Sequence, residues 1–231
     1  MKLNNFLKLN QDTSSLLILI VISFLARLPV IIFYGDSSTE NEWTTLLHYL
    51  VNHNILALQE FDNFILPNLL MPPLYAYYLY VFTFLNYEAN NFVFLILFSQ
   101  SVLASISIGV FYKINSFFFN RKISFYSSLI FSLVPIYLYS CSQISSASLT
   151  ICLAILFYYY FFKITNSNTF LNLFIMGFIG GLLILISREF TLIIIISSFY
   201  LFWYSKISFK NFFLIILVSL LVISPYLVRN Y

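Results

Sequence analysis

The sequence predicts an all-α, polytopic integral membrane protein. Composition is the first of three observations behind this. Of 231 residues, 61% are hydrophobic and 8% charged, and the mean hydropathy is +0.92. A soluble domain averages about 25% charged residues. Eleven Lys or Arg and eight Asp or Glu cannot wet the surface of a fold this size. The second observation is the recurrence of apolar runs close to the roughly 20 residues that a helix needs to cross hydrocarbon. The third is that the few charges are sorted along the chain by sign. A soluble enzyme, a nucleic-acid binder and a secreted disulfide scaffold are excluded. The net charge is only +3, and the basic residues form no nucleic-acid footprint. Cys141 and Cys152 lie in apolar stretches without C-x-x-C or metal-ligand spacing, and they read as free buried thiols.

The first apolar run, 14–34, is too long for a signal peptide's apolar region and no small-residue cleavage site follows it, so it reads as a retained span. Further spans are expected at 73–86, 92–112, 123–139, 147–164, 169–187, 190–205 and 211–228. That makes about seven or eight transmembrane helices in a single domain over 1–231. Segment 73–86 would reach only about 20 Å at 1.5 Å per residue. Between the first two spans lies the longest polar stretch, 35–72. It holds Asp36, Glu40, Glu42, Glu60 and Asp62 and no Lys or Arg. Within it, Trp43, Leu46, Leu47, Leu50 and Val51 follow helical spacing. The expectation is an amphipathic helix over 41–53 lying flat on the bilayer, with Trp43 at the interface. Thr39-x-x-Glu42 reads as its capping box.

Charge supplies an orientation. Lys2, Lys8, Lys113, Arg121, Lys122, Lys163, Lys206 and Lys210 fall at one set of span ends. By the positive-inside rule these face the cytoplasm, and the acidic loop faces outward. Strict alternation then requires that 73–112 make one net crossing.

Few residues can carry chemistry. A carboxylate at a membrane surface can act as a general base or a cation ligand. Asp36 and Glu40 are the candidates, with Glu42 divided between that role and capping. Arg27 sits inside the first span and reads as one half of an ion pair with the acidic loop. Arg188-Glu189 stands at an outward turn, and Arg229 ends the last span; an outward arginine suits a lipid phosphate. The hydroxyl-rich turn 139–148 could offer hydrogen bonds to a polar ligand.

The order of these motifs resembles the GT-C superfamily of membrane glycosyltransferases. The nearer group is the bacterial protein-mannosyltransferase and aminoarabinose-transferase-like enzymes. Carrying the resemblance are Arg27, the acidic loop ending in Glu42-Trp43, Pro72-Pro73-Leu74-Tyr75, Pro135-x-x-x-Tyr139-Ser140, Gly180-Gly181-Leu182-Leu183 leading to Ser187-Arg188, and Ser224-Pro225-Tyr226 through Arg229. Where that family has Asp-Glu-x-x-aromatic, this chain has Thr39-Glu40-Asn41-Glu42-Trp43. The resemblance implies hexosyl or pentosyl transfer from a polyprenyl-phosphate-linked donor to a lipid, glycan or protein acceptor. The active face would be the outer face of a bacterial plasma membrane. It also implies a catalytic acid among Asp36, Glu40 and Glu42, with Arg188, Glu189, Arg229, Tyr75 and Tyr139 around the substrate and its lipid phosphate. A divalent metal on Asp36 and Glu40 is a further expectation with no ligand pattern of its own. Family members continue beyond the Arg-Asn-Tyr segment, so the chain is expected to be an N-terminal fragment. A transporter or flippase-like protein, or a non-catalytic membrane subunit, is the alternative reading.

Overall fold

The computed structural model describes residues 2–39, 41–61, 64–67, 71–84, 92–205 and 207–229; for 2–12, 41, 60, 61, 64 and 229 it describes the backbone alone. In chain order the elements are α1 (Lys2–Tyr34), α2 (Asn41–His53), β1 (Ala57–Phe61), β2 (Phe64–Pro67), α3 (Pro73–Thr83), α4 (Phe92–Asn115), α5 (Arg121–Ser132), α6 (Pro135–Tyr139), α7 (Ala147–Asn166), α8 (Phe170–Ile186), α9 (Phe190–Trp203) and α10 (Phe209–Arg229). They form two compact units, residues 1–36 with 97–159, and residues 37–96 with 160–231.

Among the described residues, four helical segments are long and apolar enough to cross a membrane: Thr13–Tyr34, Phe92–Asn115, Ala147–Asn166 and Phe209–Val228. The protein is therefore helical, polytopic and membrane-integral, as its composition requires. The other expected spans correspond to shorter helices. Helices α8 and α9 are apolar but have 17 and 14 residues. Helix α3 has 11 residues, about 16 Å of rise, and falls short of the roughly 30 Å hydrocarbon core. The expected span 123–139 is broken into α5 and α6. Pro135 is the reason: it has no N–H to donate and disfavours helical backbone in the residue before it. Val134 is accordingly extended, and Pro135 opens α6 in its first turn.

In the first unit, α1, α4, α5 and α6 share a core of Leu19, Ala104, Ile108, Tyr112, Tyr137 and Cys141. Asn120 caps α5, its side-chain oxygen accepting from Ile123 N–H at 3.0 Å. Polar side chains stitch the helices. Asn115 Nδ2 donates to Ser128 Oγ (3.2 Å), joining α4 to α5. Ser148 Oγ donates to Gln100 Oε1 (2.6 Å), joining α7 to α4.

In the second unit, the amphipathic helix exists as expected but its placement is corrected. Leu46, Leu47 and Leu50 are buried, and Leu46 and Leu50 pack with Leu56 and Ala76, flanked by Trp43, Leu58, Met71 and Tyr80. The apolar face of α2 is covered by β1 and α3, not by lipid; only Val51 of the expected stripe is exposed. Trp43 is half-buried, edge-on to Tyr75 at 4.7 Å between ring centroids. Asn54 ends α2 with φ 56°, a conformation that asparagine tolerates. Its N–H donates to Leu50 C=O at 3.1 Å. The antiparallel hairpin β1–β2, irregular between Ala57 and Gln59, was not expected in a loop read as polar.

Helices α8 and α10 make the closest seam. A Cβ on Gly177 would lie 2.7 Å from the Ile215 carbonyl oxygen, and one on Gly181 2.5 Å from Val222 Cβ. Ser219 Oγ donates across the same seam to Gly177 C=O at 2.8 Å. Small residues let membrane helices approach this closely. Gly177→Ala and Gly181→Ala are each expected to cost about 1–3 kcal/mol through enforced separation. A thermal unfolding series in detergent should show both melting lower than Gly109→Ala, whose added methyl meets mainly the flexible Ile20 side chain.

Candidate functional site

Arg27 is fully buried. Its Nη1 donates to Ser23 C=O (2.9 Å), Ser23 Oγ (2.5 Å) and Ser132 C=O (3.4 Å). Its guanidinium carbon lies 4.7 Å from the centroid of the Tyr137 ring, a cation–π geometry. The expected ion pair with the acidic loop is corrected: among the described residues Arg27 meets no carboxylate. Its partners are instead the carbonyl and hydroxyl of Ser23 one turn earlier in α1, the Ser132 carbonyl that ends α5, and the Tyr137 ring. Tyr137 in turn shares a 2.6 Å hydrogen bond with Ser107. Nearby, Cys141 is a free thiol, and burial pushes it up against the opposing pull of the Arg27 charge.

Asp36 follows directly from the end of α1. Gly35 is needed there, because a Cβ would lie 2.2 Å from the Ile31 carbonyl oxygen. The Asp36 carboxylate Oδ2 accepts from Ile144 N–H at 2.6 Å, and Asp36 N–H donates to Ser142 C=O at 2.9 Å. Gln143 Nε2 donates to Tyr34 C=O at 3.4 Å. Asp36, read from sequence as a candidate base or cation ligand, therefore clamps the end of α1 to the turn after α6. One donor occupies one of roughly four lone-pair directions on a carboxylate, so the clamp leaves acceptor capacity. Tyr139, at the end of α6, is exposed. Its carbonyl accepts from Ser142 N–H at 2.9 Å.

The second unit holds an apolar groove. One part, about 370 Å³, is lined by Pro72 and Pro73 before and in α3, Ile184, Leu185 and Arg188 at the end of α8, and Ile223, Tyr226 and Leu227 of α10. A part of about 240 Å³ shares Pro73, Leu185 and Tyr226 and adds Leu74, Tyr77, Val222 and Pro225. Among the described residues, Arg188 is the only charged one lining either part. It is exposed, in the short turn between α8 and α9, and its carbonyl accepts from Thr191 N–H at 3.1 Å. Glu189 is exposed at the start of α9 and makes no side-chain cap.

The expected site residues separate on this geometry. Arg188 lines the groove. Tyr75 does not: it is 1% exposed, edge-on to Trp43 and stacked on Tyr78, because its position in the first turn of α3 faces α2. Tyr77 and Tyr226 take the groove positions instead. The spacing of Val222, Ile223 and Tyr226 on one face of α10 was the available signal for Tyr226. Glu42 is exposed in the first turn of α2, where an acidic side chain complements the helix dipole. Thr39, its expected capping partner, accepts a hydrogen bond from Thr44 Oγ1 at 2.9 Å on its hydroxyl, and Thr44 also donates to its carbonyl. Glu40 lies outside the described residues, and Arg229 is described in backbone only, as the last residue of α10. Among the described residues no three His, Cys, Asp or Glu side chains converge as a metal site would require.

The sequence model for dolichyl-phosphate-mannose-protein mannosyltransferase matches residues 71–228, well over half the chain, and the chain belongs to that family. It is thereby a member of the GT-C membrane glycosyltransferases. The matched stretch includes the Pro72–Tyr75 segment, Tyr139, Arg188 and Glu189; Asp36, Glu40 and Glu42 lie before it and Arg229 just after. No curated protein matches the chain.

The clamp at Asp36 makes separable predictions. Asp36→Asn keeps an oxygen acceptor for Ile144 N–H, whereas Asp36→Ala leaves that donor unpaired. Thermal unfolding should show the alanine variant losing about 1–3 kcal/mol and the asparagine variant distinctly less.

Proposed function

We propose that this protein transfers a sugar from a polyprenyl-phosphate-linked donor to an acceptor hydroxyl or amine at the extracytoplasmic face of the membrane. The observation that carries the reading is the groove of the second unit. Its walls are apolar, as an isoprenoid chain requires, and Arg188, which lines it, is a cation suited to a phosphate. Membership of the mannosyltransferase family supports the reaction class.

In this reading the donor's isoprenoid lies against Pro73, Leu185 and Tyr226 and its phosphate meets Arg188. Asp36 takes the acceptor proton as the acceptor oxygen or nitrogen bonds to the anomeric carbon. The bond from that carbon to the phosphate oxygen breaks, and the electron pair leaves with the polyprenyl phosphate. Negative charge grows on the phosphate oxygen, where Arg188 stabilises it. Glu40 and Glu42 are the other candidates in the same loop for the proton-transfer role, and Arg229 is a second cation for the phosphate. Tyr139 and Glu189 are assigned to the acceptor and donor head groups. The membrane is that of a bacterial cell envelope, and the acceptor is a lipid, glycan or protein.

The test is steady-state transfer by the full-length protein in vesicles supplied with polyprenyl-phosphate sugar and a membrane acceptor fraction. Arg188→Gln is expected to raise the KM for the donor at least about tenfold, corresponding to about 1.4 kcal/mol of phosphate binding, with partial recovery in Arg188→Lys. Asp36→Asn is expected to lower kcat by about 100-fold or more while leaving donor KM nearly unchanged. Transfer at the parental rate by both variants would remove the assignment.

A further inference from the structure

Away from that groove, the first unit carries an open depression along α5, about 430 Å³, lined by Lys122, Ile123, Tyr126, Ser127 and Ile130. Its polarity runs in one direction. Lys122 stands at one end, and Ile123, Tyr126 and Ile130 follow at helical spacing, all exposed. From Ile123 to Ile130 the helix rises about 10 Å. The end that carries Lys122 is also the end of α4, where Lys113 is exposed. The connection between them presents Phe117, Phe118 and Phe119 on the surface. Lys113 and Lys122 at these helix ends are the residues that reach the level of the lipid headgroups, where long basic side chains snorkel.

No Asp or Glu occurs from residue 89 to residue 188, so α5, α6, α7 and the connection before α5 offer Lys122 no carboxylate. The nearest acidic residue upstream in sequence, Glu88, lies outside the described residues, as does the side chain of Asp12, which precedes Ser15 by three positions in α1. Arg121, beside Lys122, is turned to α1, where Ser15 Oγ accepts from its Nη2 at 2.6 Å. Two cations in the first turn of α5 also oppose the helix dipole, which favours an anion there.

We infer that this depression binds an anionic phospholipid, its headgroup phosphate at Lys122 with Lys113 contributing from α4, and one acyl chain along Ile123, Tyr126 and Ile130. A cation at the headgroup level beside an apolar track of this length complements the phosphate and the first carbons of an acyl chain together. A zwitterionic lipid fills the same track but adds its own cation next to Lys122. The site is independent of the transfer reaction, since none of its residues lines the groove at Arg188.

The experiment is native mass spectrometry of the full-length protein in detergent, titrated with phosphatidylglycerol or with phosphatidylcholine of identical acyl chains. Phosphatidylglycerol should bind about tenfold more tightly than phosphatidylcholine. Lys122→Gln should abolish that preference, while Lys210→Gln, removing an exposed lysine of the second unit, should leave it intact. Ile130→Trp, which fills the track from an exposed position without altering charge, should reduce phosphatidylglycerol binding at least fivefold. Equal retention of the two lipids by the parent protein overturns the assignment. So does undiminished phosphatidylglycerol binding by either Lys122→Gln or Ile130→Trp.

Discussion

Hydrocarbon holds no water, so a polar group inside it must find its partner within the protein. That constraint decides how this chain uses nearly every polar side chain it has. Serines turn back on their own helices: Ser105 Oγ donates to Ser101 C=O and Ser128 Oγ to Ser124 C=O, at 2.7 and 2.8 Å. Others bridge helices, as Ser219 does across the α8–α10 seam. Arg27 is the extreme case. Its charge would be intolerable alone, and the first unit answers it with Ser23, the carbonyl that ends α5 and the face of Tyr137. Because Tyr137 sits on α6, the answer to one charge also fixes the short helix that leads into the turn clamped by Asp36.

The helical membrane class was legible from composition, and most helices from the positions of their apolar runs. Length was harder to read. Hydropathy runs smoothly through Leu133 and Val134, and only Pro135 says that one apolar stretch is two helices. The hairpin was hidden for a related reason: Ala57–Phe61 and Phe64–Pro67 are short and flanked by acidic and amide residues, so the segment resembled a polar loop. Periodicity showed that α2 has an apolar face but not what covers it. A stripe of Leu46, Leu47 and Leu50 looks the same whether lipid or protein lies beneath, and α3 proved to be the cover.

The candidate site was legible in part. Arg188 stood out, with Glu189, between two apolar runs, and it lines the groove. Tyr75 was chosen for its place after two prolines, but the turn of α3 that carries it faces inward against Trp43. Asp36 illustrates what a linear reading cannot contain: its partner Ile144 is 108 positions away. A carboxylate that looked unoccupied is half of a joint, which makes it both better placed and less mobile than a loop residue.

The glycines of α8 have a meaning beyond packing. The groove has α8 residues Ile184 and Leu185 and the following Arg188 on one side, and Ile223, Tyr226 and Leu227 of α10 on the other. Both walls belong to helices whose seam is closed by the missing side chains of Gly177 and Gly181. The spacing of the mouth is therefore governed one to two helical turns away, by residues that do not line it. Relatives that exchange a hydrogen for a methyl at these positions would be re-gauged at the mouth, with every residue lining it unchanged.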